Sequence, residues 1–283
     1  MSQLDSIYAA VEFIEANLKQ AIRVADMAES VSYSLYHFCR TFNATVRLTP
    51  YDYLMRRRLS ESAQELVQSD RKIIDIACDY GFNNPETFSR AFRRMFGMQP
   101  TQWRKRGLIE KRCLMPRLSL AYLEHINQGG FLKPALVKKE SFKVAGVMAL
   151  VEEDRAVTEK LWKILAQEIE RMGIKPENYY GIAWYPQGWQ ESGYFYLAGI
   201  EQPSRDISSS VLVVRSMPRS KFARFIHKGL STDLSYTLDY VYHTWLPKSG
   251  ERLAYPFELE EYGGDFGARD HEEAERGICI PIE

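Results

Sequence analysis

The sequence predicts a multidomain chain: an all-α domain of duplicated helix-turn-helix units, followed by an α+β domain on an antiparallel sheet. Three observations carry this. Across residues 6–106 apolar side chains recur every three or four positions, whereas from Ser141 onward they alternate. A short helix, a tight turn and a second helix occur twice within the first hundred residues. A β-α-β-β order occurs twice after residue 141. The 283 residues suffice for two cores.

Taken in order, Ile7, Val11, Ile14 and Leu18 mark a first helix, and a short one follows over 23–30. Val31-Ser32-Tyr33 makes a turn, and Ser34 is placed to cap a helix from Leu35 to Phe42. Thr49-Pro50 opens a longer helix reaching Val67, because proline suits a first helical turn. Ile73, Ile74, Ile76 and Ala77 then form a short helix, and Gly81 is suited to a left-handed cap. Pro85 starts a helix from Glu86 to Phe96, and Gly97-Met98-Gln99-Pro100 ends it. The two second helices lie about fifty residues apart.

Residues 109–138, with Pro116, Gly129-Gly130 and Pro134, read as linker with an accessory strand. The domain beyond, 139–283, is read as strand 141–151, helix 157–172, strands 179–186 and 192–201, strand 215–228, helix 231–246, and strands 252–262 and 277–282. Two such units pair most stably around one antiparallel sheet with both helices on one face. The first domain is assigned to residues 1–108.

Charge is balanced, 37 basic against 37 acidic residues, but unevenly distributed. Residues 1–112 hold 17 basic and 13 acidic side chains, a net of +4, which leaves −4 for the remainder. Arg56-Arg57-Arg58, Arg93-Arg94 and Arg104-Lys105-Arg106 all fall in the first part. The 26% charged and 13% aromatic shares exclude a disordered chain. No apolar run reaches the ~18–20 residues of a membrane span, and the acidic start reads as an amphipathic helix, not a signal peptide. Cys39, Cys78, Cys113 and Cys279 form no CxxC pair, which fits a reduced cytoplasmic setting.

No GxSxG, GxGxxG or Walker loop is present, and His125, His227 and His243 are scattered. The Asp270–Glu275 cluster with His271 reads as an exposed helix or loop, so neither metal nor cofactor is expected.

The stretch Arg58…Ala63…Leu66…Ile73…Ile76-Ala77…Gly81-Phe82…Phe88-Ser89-Arg90-Ala91-Phe92-Arg93…Phe96-Gly97…Pro100…Trp103-Arg104 resembles the AraC/XylS family of bacterial transcription regulators. Within it the chain is similar to the MarA/SoxS/Rob-like members, whose DNA-binding domain is N-terminal. The resemblance implies that a monomer binds double-stranded promoter DNA through two recognition helices, in major grooves about 34 Å apart.

The helical period turns Tyr36, Cys39 and Arg40 outward on the first recognition helix, with Leu35, Phe38 and Phe42 inward. On the second it turns out Glu86, Ser89, Arg90 and Arg93, with Phe88, Phe92 and Phe96 inward. Arg40 and Arg90 hold equivalent places and are expected to contact bases or adjacent phosphates. Ser34 and Asn84, at the two helix starts, complete the candidate DNA set. Cys39 stands where relatives use Gln, and Pro85-Glu86 replaces a polar pair; Glu86 cannot donate to adenine but can accept from cytosine N4. Arg56, Arg57, Arg104, Lys105 and Arg106 divide between phosphate contacts and solvated surface.

Residues 138–283 look like a GyrI-like domain. The resemblance rests on Phe222-Ala223-Arg224-Phe225-Ile226-His227-Lys228-Gly229, Trp245-Leu246-Pro247-Lys248-Ser249-Gly250, Pro256-Phe257-Glu258-Leu259-Glu260-Glu261-Tyr262 and Ile280-Pro281-Ile282. Strand alternation puts Glu258, Glu260 and Tyr262 on one face and Phe257 and Leu259 on the other. The apolar face is expected to pack on the helices, leaving Glu260 and Tyr262 toward an open cleft. Trp184, Tyr196 and Phe225 are candidate walls, each with core packing as its alternative, and Glu261 replaces Glu260 if the register slips by one. A carboxylate among aromatics favours a lipophilic cation.

These expectations amount to a one-component regulator that senses an amphipathic or cationic, drug-like effector and is not an enzyme. The resemblance implies activation through contact with RNA polymerase. Two alternatives stay open: a small-molecule hydrolase with Glu260 as general base, and a protein-interaction module.

Overall fold

Ser2 begins the first helix by a reciprocal cap, its hydroxyl accepting from the Asp5 amide while its own amide donates to the Asp5 carboxylate. The computed structural model describes residues 2–109, 111–128, 133–152, 156–185, 193–203, 209–263 and 274–283. Seven helices occupy the described part of the first hundred or so residues: α1 (Gln3–Ala16), α2 (Val24–Ser30), α3 (Leu35–Val46), α4 (Pro50–Gln68), α5 (Ile73–Asp79), α6 (Pro85–Phe96) and α7 (Pro100–Arg106).

The duplication is visible at the level of single hydrogen bonds. After α2 the Ser32 amide donates to Glu29 O and the Tyr33 amide to Ala28 O; after α5 the Gly81 amide donates to Cys78 O and the Phe82 amide to Ala77 O. Both are Schellman turns, with Ser32 at φ 58° and Gly81 at φ 77° in the left-handed place. The recognition helices then start from side-chain caps. Ser34 accepts from the His37 amide, and Asn84 from the amides of Glu86 and Thr87. Between the repeats, the 19 residues of α4 form a strut of about 28 Å.

The basic triplet at the middle of α4 is mostly internal. Arg57 is buried and paired with Glu15 at 2.8 Å; it also donates to Glu61 and to Met115 O. Arg58 is buried too, donating to Leu18 O and Gln20 O. Arg57 therefore leaves the set of phosphate candidates, because its guanidinium is used up inside the domain.

The stretch read as linker contains a short 3-10 turn, Lys111–Cys113, and a further helix, α8 (Leu120–Asn127), capped by Ser119 and packed on α1 and α3 through buried Leu123 and Ile126. The accessory strand is β1 (Ala135–Lys139). There follow β2 (Phe142–Val151), α9 (Ala156–Met172), β3 (Tyr179–Trp184), β4 (Tyr194–Glu201), β5 (Val213–Met217) and β6 (Ser220–Lys228). A 3-10 turn, Ser231–Asp233, leads into α10 (Leu234–Tyr240), a π-helical turn over Val241–Trp245, and α11 (Leu246–Ser249). The strands β7 (Phe257–Tyr262) and β8 (Glu275–Ile282) complete the order. The acidic cluster around His271 lies outside the described residues, apart from Glu275. The predicted strand 215–228 is two strands, divided at Pro218-Arg219, since proline has no amide to give to a ladder.

Two compact units result: residues 1–129 together with 236–248, and 130–235 together with 249–283. In the second, eight antiparallel strands run in the order β1-β6-β8-β7-β3-β4-β2-β5. A flat sheet would put β5 and β6 about 29 Å apart, at ~4.8 Å per strand, yet the two residues joining them reach only about 11 Å. The sheet therefore curls. Its inner face buries Val144, Ile182, Met217, Phe222, Phe257, Leu259 and Cys279 against one another. The outer face carries Val147, Tyr196, Ala198 and Tyr262, covered by Leu161, Trp162, Leu165 and Ile169 of α9. This reverses the expected sides. The apolar face with Phe257 and Leu259 is closed by curling and needs no helix, while α9 covers the face that holds Glu260 and Tyr262.

Candidate DNA interface and ligand site

Burial along the two recognition helices follows one pattern. Phe38 and Phe42 of α3 and Phe88 and Phe92 of α6 are fully buried. Ser34, Tyr36, Arg40, Asn84, Glu86, Arg90 and Arg93 are exposed, while Cys39 and Ser89 are half-buried at the edge of the same faces. Leu35 departs from expectation: placed inward by periodicity, it is 51% exposed beside Tyr36, which is 77% exposed. It occupies the first position of α3, where a side chain projects past the helix end instead of into the core. His37, Asn43, Thr87 and Arg94 are also exposed on these helices, outside the set that the helical period picks out.

The two faces differ chemically. That of α3 presents Leu35 and Tyr36 with Arg40; that of α6 presents Arg90, Arg93 and Arg94 with Glu86. Of the remaining basic side chains, Arg104 donates to Leu66 O at 2.9 Å and Arg56 to His243 O at 3.3 Å, whereas Lys105 and Arg106 are exposed.

The candidate ligand site is built around Glu260 on the outer face of the sheet. Its cross-strand neighbours are Gly181 on β3 and Ile278 on β8, and Ile278 in turn faces Phe225 on β6. Phe225 thus shares the Glu260 face, two strands away and fully buried. Tyr262 donates its hydroxyl to the Glu260 carboxylate, and the Tyr196 hydroxyl stands beside that carboxylate over Gly181. Gly181 makes this possible, because a Cβ there would stand 2.2 Å from the Tyr196 hydroxyl. Trp162 lies edge-on to both tyrosines, with ring centroids 6.3 and 5.4 Å away. Arg276 donates to the Tyr262 hydroxyl at 3.4 Å and sits over its ring.

The electrostatics of this cluster are one-sided. Burial pushes the Glu260 carboxyl above its ordinary range, against the Tyr262 hydroxyl bond, the Arg276 charge and the Tyr196 hydroxyl, which all favour the anion. Among the described residues no cationic nitrogen lies within ion-pair distance of Glu260. Glu261 is different: it points to the inner face, where Lys139 and Arg224 hold it below the usual range despite burial. The register leaves Glu260, not Glu261, beside the tyrosines.

Trp184 does not join this site. It lies on the inner face, stacked on Phe257 at 5.6 Å and 24°, because the odd-even alternation of β3 turns it away from Gly181. Trp162, Gly181 and Arg276 escaped sequence reading. Trp162 sits in a helix whose period marks it only as apolar, and Arg276 stands just before the strand read over 277–282, outside its alternation. Among the described residues no group of three or more His, Cys, Asp or Glu side chains is arranged to hold a metal.

Comparison with known proteins finds two families along the chain. Residues 27–106 match a helix-turn-helix domain family, and residues 132–283 match the GyrI-like small molecule binding domain. The regulatory protein SoxS of Salmonella typhimurium is 35% identical over 106 residues, covering 38% of this chain and 99% of SoxS. YbfP, an uncharacterized HTH-type transcriptional regulator of Bacillus subtilis, is 34% identical over 99 residues; the match spans 35% of this chain and about a third (34%) of that relative's length. The solved structure of SAV2435 bound to tetraphenylphosphonium covers 53% of this chain and 94% of its own, at 16% identity and a TM-score of 0.42. An AraC-type helix-turn-helix domain of the MarA/SoxS-like kind joined to a GyrI-like domain makes this chain a transcriptional regulator of the AraC family and a member of the GyrI-like family.

Proposed function

We propose that the chain binds promoter DNA as a monomer, activates transcription through RNA polymerase in the cytoplasm, and takes a lipophilic cation at Glu260 as its effector. The observation that carries the effector class is a buried carboxylate ringed by Tyr196, Tyr262 and Trp162 with no ion-pair partner among the described residues. A delocalised organic cation sheds its hydration cheaply, so it gains both charge pairing and ring contact, each ring worth about 0.5–2 kcal/mol. Inorganic cations, being strongly hydrated, are excluded by the same apolar surround. Binding, not turnover, is the proposed role.

Titration of the full chain with the cationic dye rhodamine 6G tests this reading. Glu260→Gln keeps the shape and removes the charge, and dye affinity is expected to fall about tenfold or more. Equal affinity in the two proteins overturns the cation assignment, and release of dye breakdown products on long incubation overturns the binding-only role. For DNA, Arg90→Ala is expected to weaken binding to a selected duplex by about 1–3 kcal/mol and to relax discrimination at one base pair.

A further inference from the structure

Residues 236–248 continue the chain beyond β6, yet they belong to the first compact unit. Inside that unit the segment is tied along its whole length. Thr237 Oγ1 lies 2.9 Å from His125 Nε2, and Tyr236 stands edge-on to Tyr122. The Arg112 guanidinium sits 4.3 Å above the Tyr242 ring, and Arg56 donates to His243 O. Last, the Lys248 ammonium donates to the carbonyl of Arg47.

That final contact falls at a telling place. Arg47 is the residue on which recognition helix α3 ends, in the left-handed conformation at φ 64°. The carbonyls there form the negative end of the helix dipole, where an ammonium is favourable. Asn127 grips the same end, donating to Thr45 O at 3.0 Å and accepting from Arg47 at 3.5 Å. In the second unit, Arg276 donates to Ser231 at 2.8 Å and to Gly229 O at 3.2 Å, just before α10 begins. The same guanidinium donates to Tyr262, the residue bonded to Glu260. Between these points along the chain lies the π-helical turn Val241–Trp245, a winding that occurs mostly as single-turn insertions in helices, frequently at functional sites.

We propose that Lys248 is a positioning residue for DNA recognition: it holds α3 by its C-terminal end, and the helix 234–249 makes that hold answer to the state of Glu260. The second half of this rests on the reading of Glu260 as the effector carboxylate. A cation arriving at Glu260 competes with the Tyr262 hydroxyl, alters what Arg276 bonds, and so changes the anchor of Ser231 and Gly229. The covalent helix carries that change to Lys248. Coupling of this kind is reciprocal: dye and DNA change each other's affinity by one factor.

The test uses the full chain, rhodamine 6G, and a duplex selected from a random pool by the unliganded protein. Lys248 is exposed, so Lys248→Met is expected to fold with at most a small loss of thermal midpoint, the size of one exposed dipole contact. Base substitutions in the half-site read by α3 are expected to lose about fivefold of their discrimination in Lys248→Met, whereas those in the half-site read by α6 keep theirs, and Lys248→Arg restores the loss. Equal losses at both half-sites, or none, overturn the positioning role. In the wild type the duplex is expected to change the dye Kd about threefold or more, and in Lys248→Met that factor falls to one while the DNA-free Kd stays put. Glu260-dependent dye binding with a wild-type factor of one overturns the coupling alone. Absence of dye binding overturns the Glu260 reading and the coupling with it, and the half-site result then decides the positioning role by itself.

Discussion

Arg47 and Gly97 occupy the same place in the two repeats: each ends a recognition helix in the left-handed conformation, at φ 64° and 74°, with its amide bonded four residues back. One repeat uses glycine for this and the other does not. The preceding turns divide the same way, with Ser32 in the first and Gly81 in the second. The first repeat therefore carries two left-handed non-glycine residues, each disfavoured by about 1 kcal/mol or more, that the second avoids.

The glycines can be ranked by what a methyl group would meet. At Gly97 nothing lies within 4 Å of an added Cβ, so Gly97→Ala is expected to cost only the conformational penalty, about 1 kcal/mol. At Gly81 the Cβ would stand 2.7 Å from Nη1 of Arg58, a side chain fixed by two carbonyls, so Gly81→Ala is expected to cost clearly more. Ser32→Gly is expected to raise stability. Urea unfolding of the three variants checks the order.

Arg57 and Arg93 illustrate two opposite uses of arginine. Arg57→Ala strips the buried Glu15 carboxylate of its ion-pair partner, leaving it the Tyr53 hydroxyl, and frees Met115 O and Glu61, a change expected to cost about 3–5 kcal/mol of stability. Arg93→Ala, on an exposed face, is expected to leave the unfolding midpoint in place and to reduce the slope of log affinity against log salt by about one. Salt titrations of DNA binding, paired with unfolding curves, separate the two roles.

What the sequence made legible follows from which physical signals are local. Caps, prolines and a 3.6 period located α3, α4 and α6 because each signal lies within the element it marks. The Glu260–Tyr262 pair was legible for the same reason, alternation on a single strand. Helix α8 is masked in the sequence because Pro116 and the Gly129-Gly130 pair give linker signals on both sides of Ser119 and the Tyr122, Leu123, Ile126 spacing. The curl of the sheet was not readable, since it depends on β5 and β6 lying near opposite edges while joined by two residues. That non-local fact decides which face α9 covers, and with it the place of Trp184.

His243 supplies an acid-sensitive element inside the first unit. Burial, with the charges of Arg56, Arg112 and Arg57 around it, pushes its imidazole from about 6.5 down to about 4. A depressed value means that the neutral ring fits the fold. The contribution is complete above pH 6.5 and is lost as pH falls toward 4, up to about 3 kcal/mol in all. Unfolding midpoints measured from pH 7 to pH 4 are expected to decline in the wild type and to decline less in His243→Gln.

Glu260 responds to pH in the opposite sense and gives the effector site its own signature. Its folded-state value is raised, chiefly by burial, so ionising it costs stability as pH rises through that value. At neutral pH Glu260→Gln is accordingly expected to be more stable than the wild type while binding the dye less well, a trade that ordinary packing residues do not show. A bound cation favours the anion and lowers the carboxyl's value in the complex. Dye affinity in the wild type is therefore expected to be flat at higher pH, to fall about tenfold per unit as pH drops below the free-site value, and to level off below the bound-site value. The Gln variant is expected to give a flat, low-affinity profile across the same range. Below the point where Glu260 is neutral in both states the two proteins should bind alike, since the charge that distinguished them is gone.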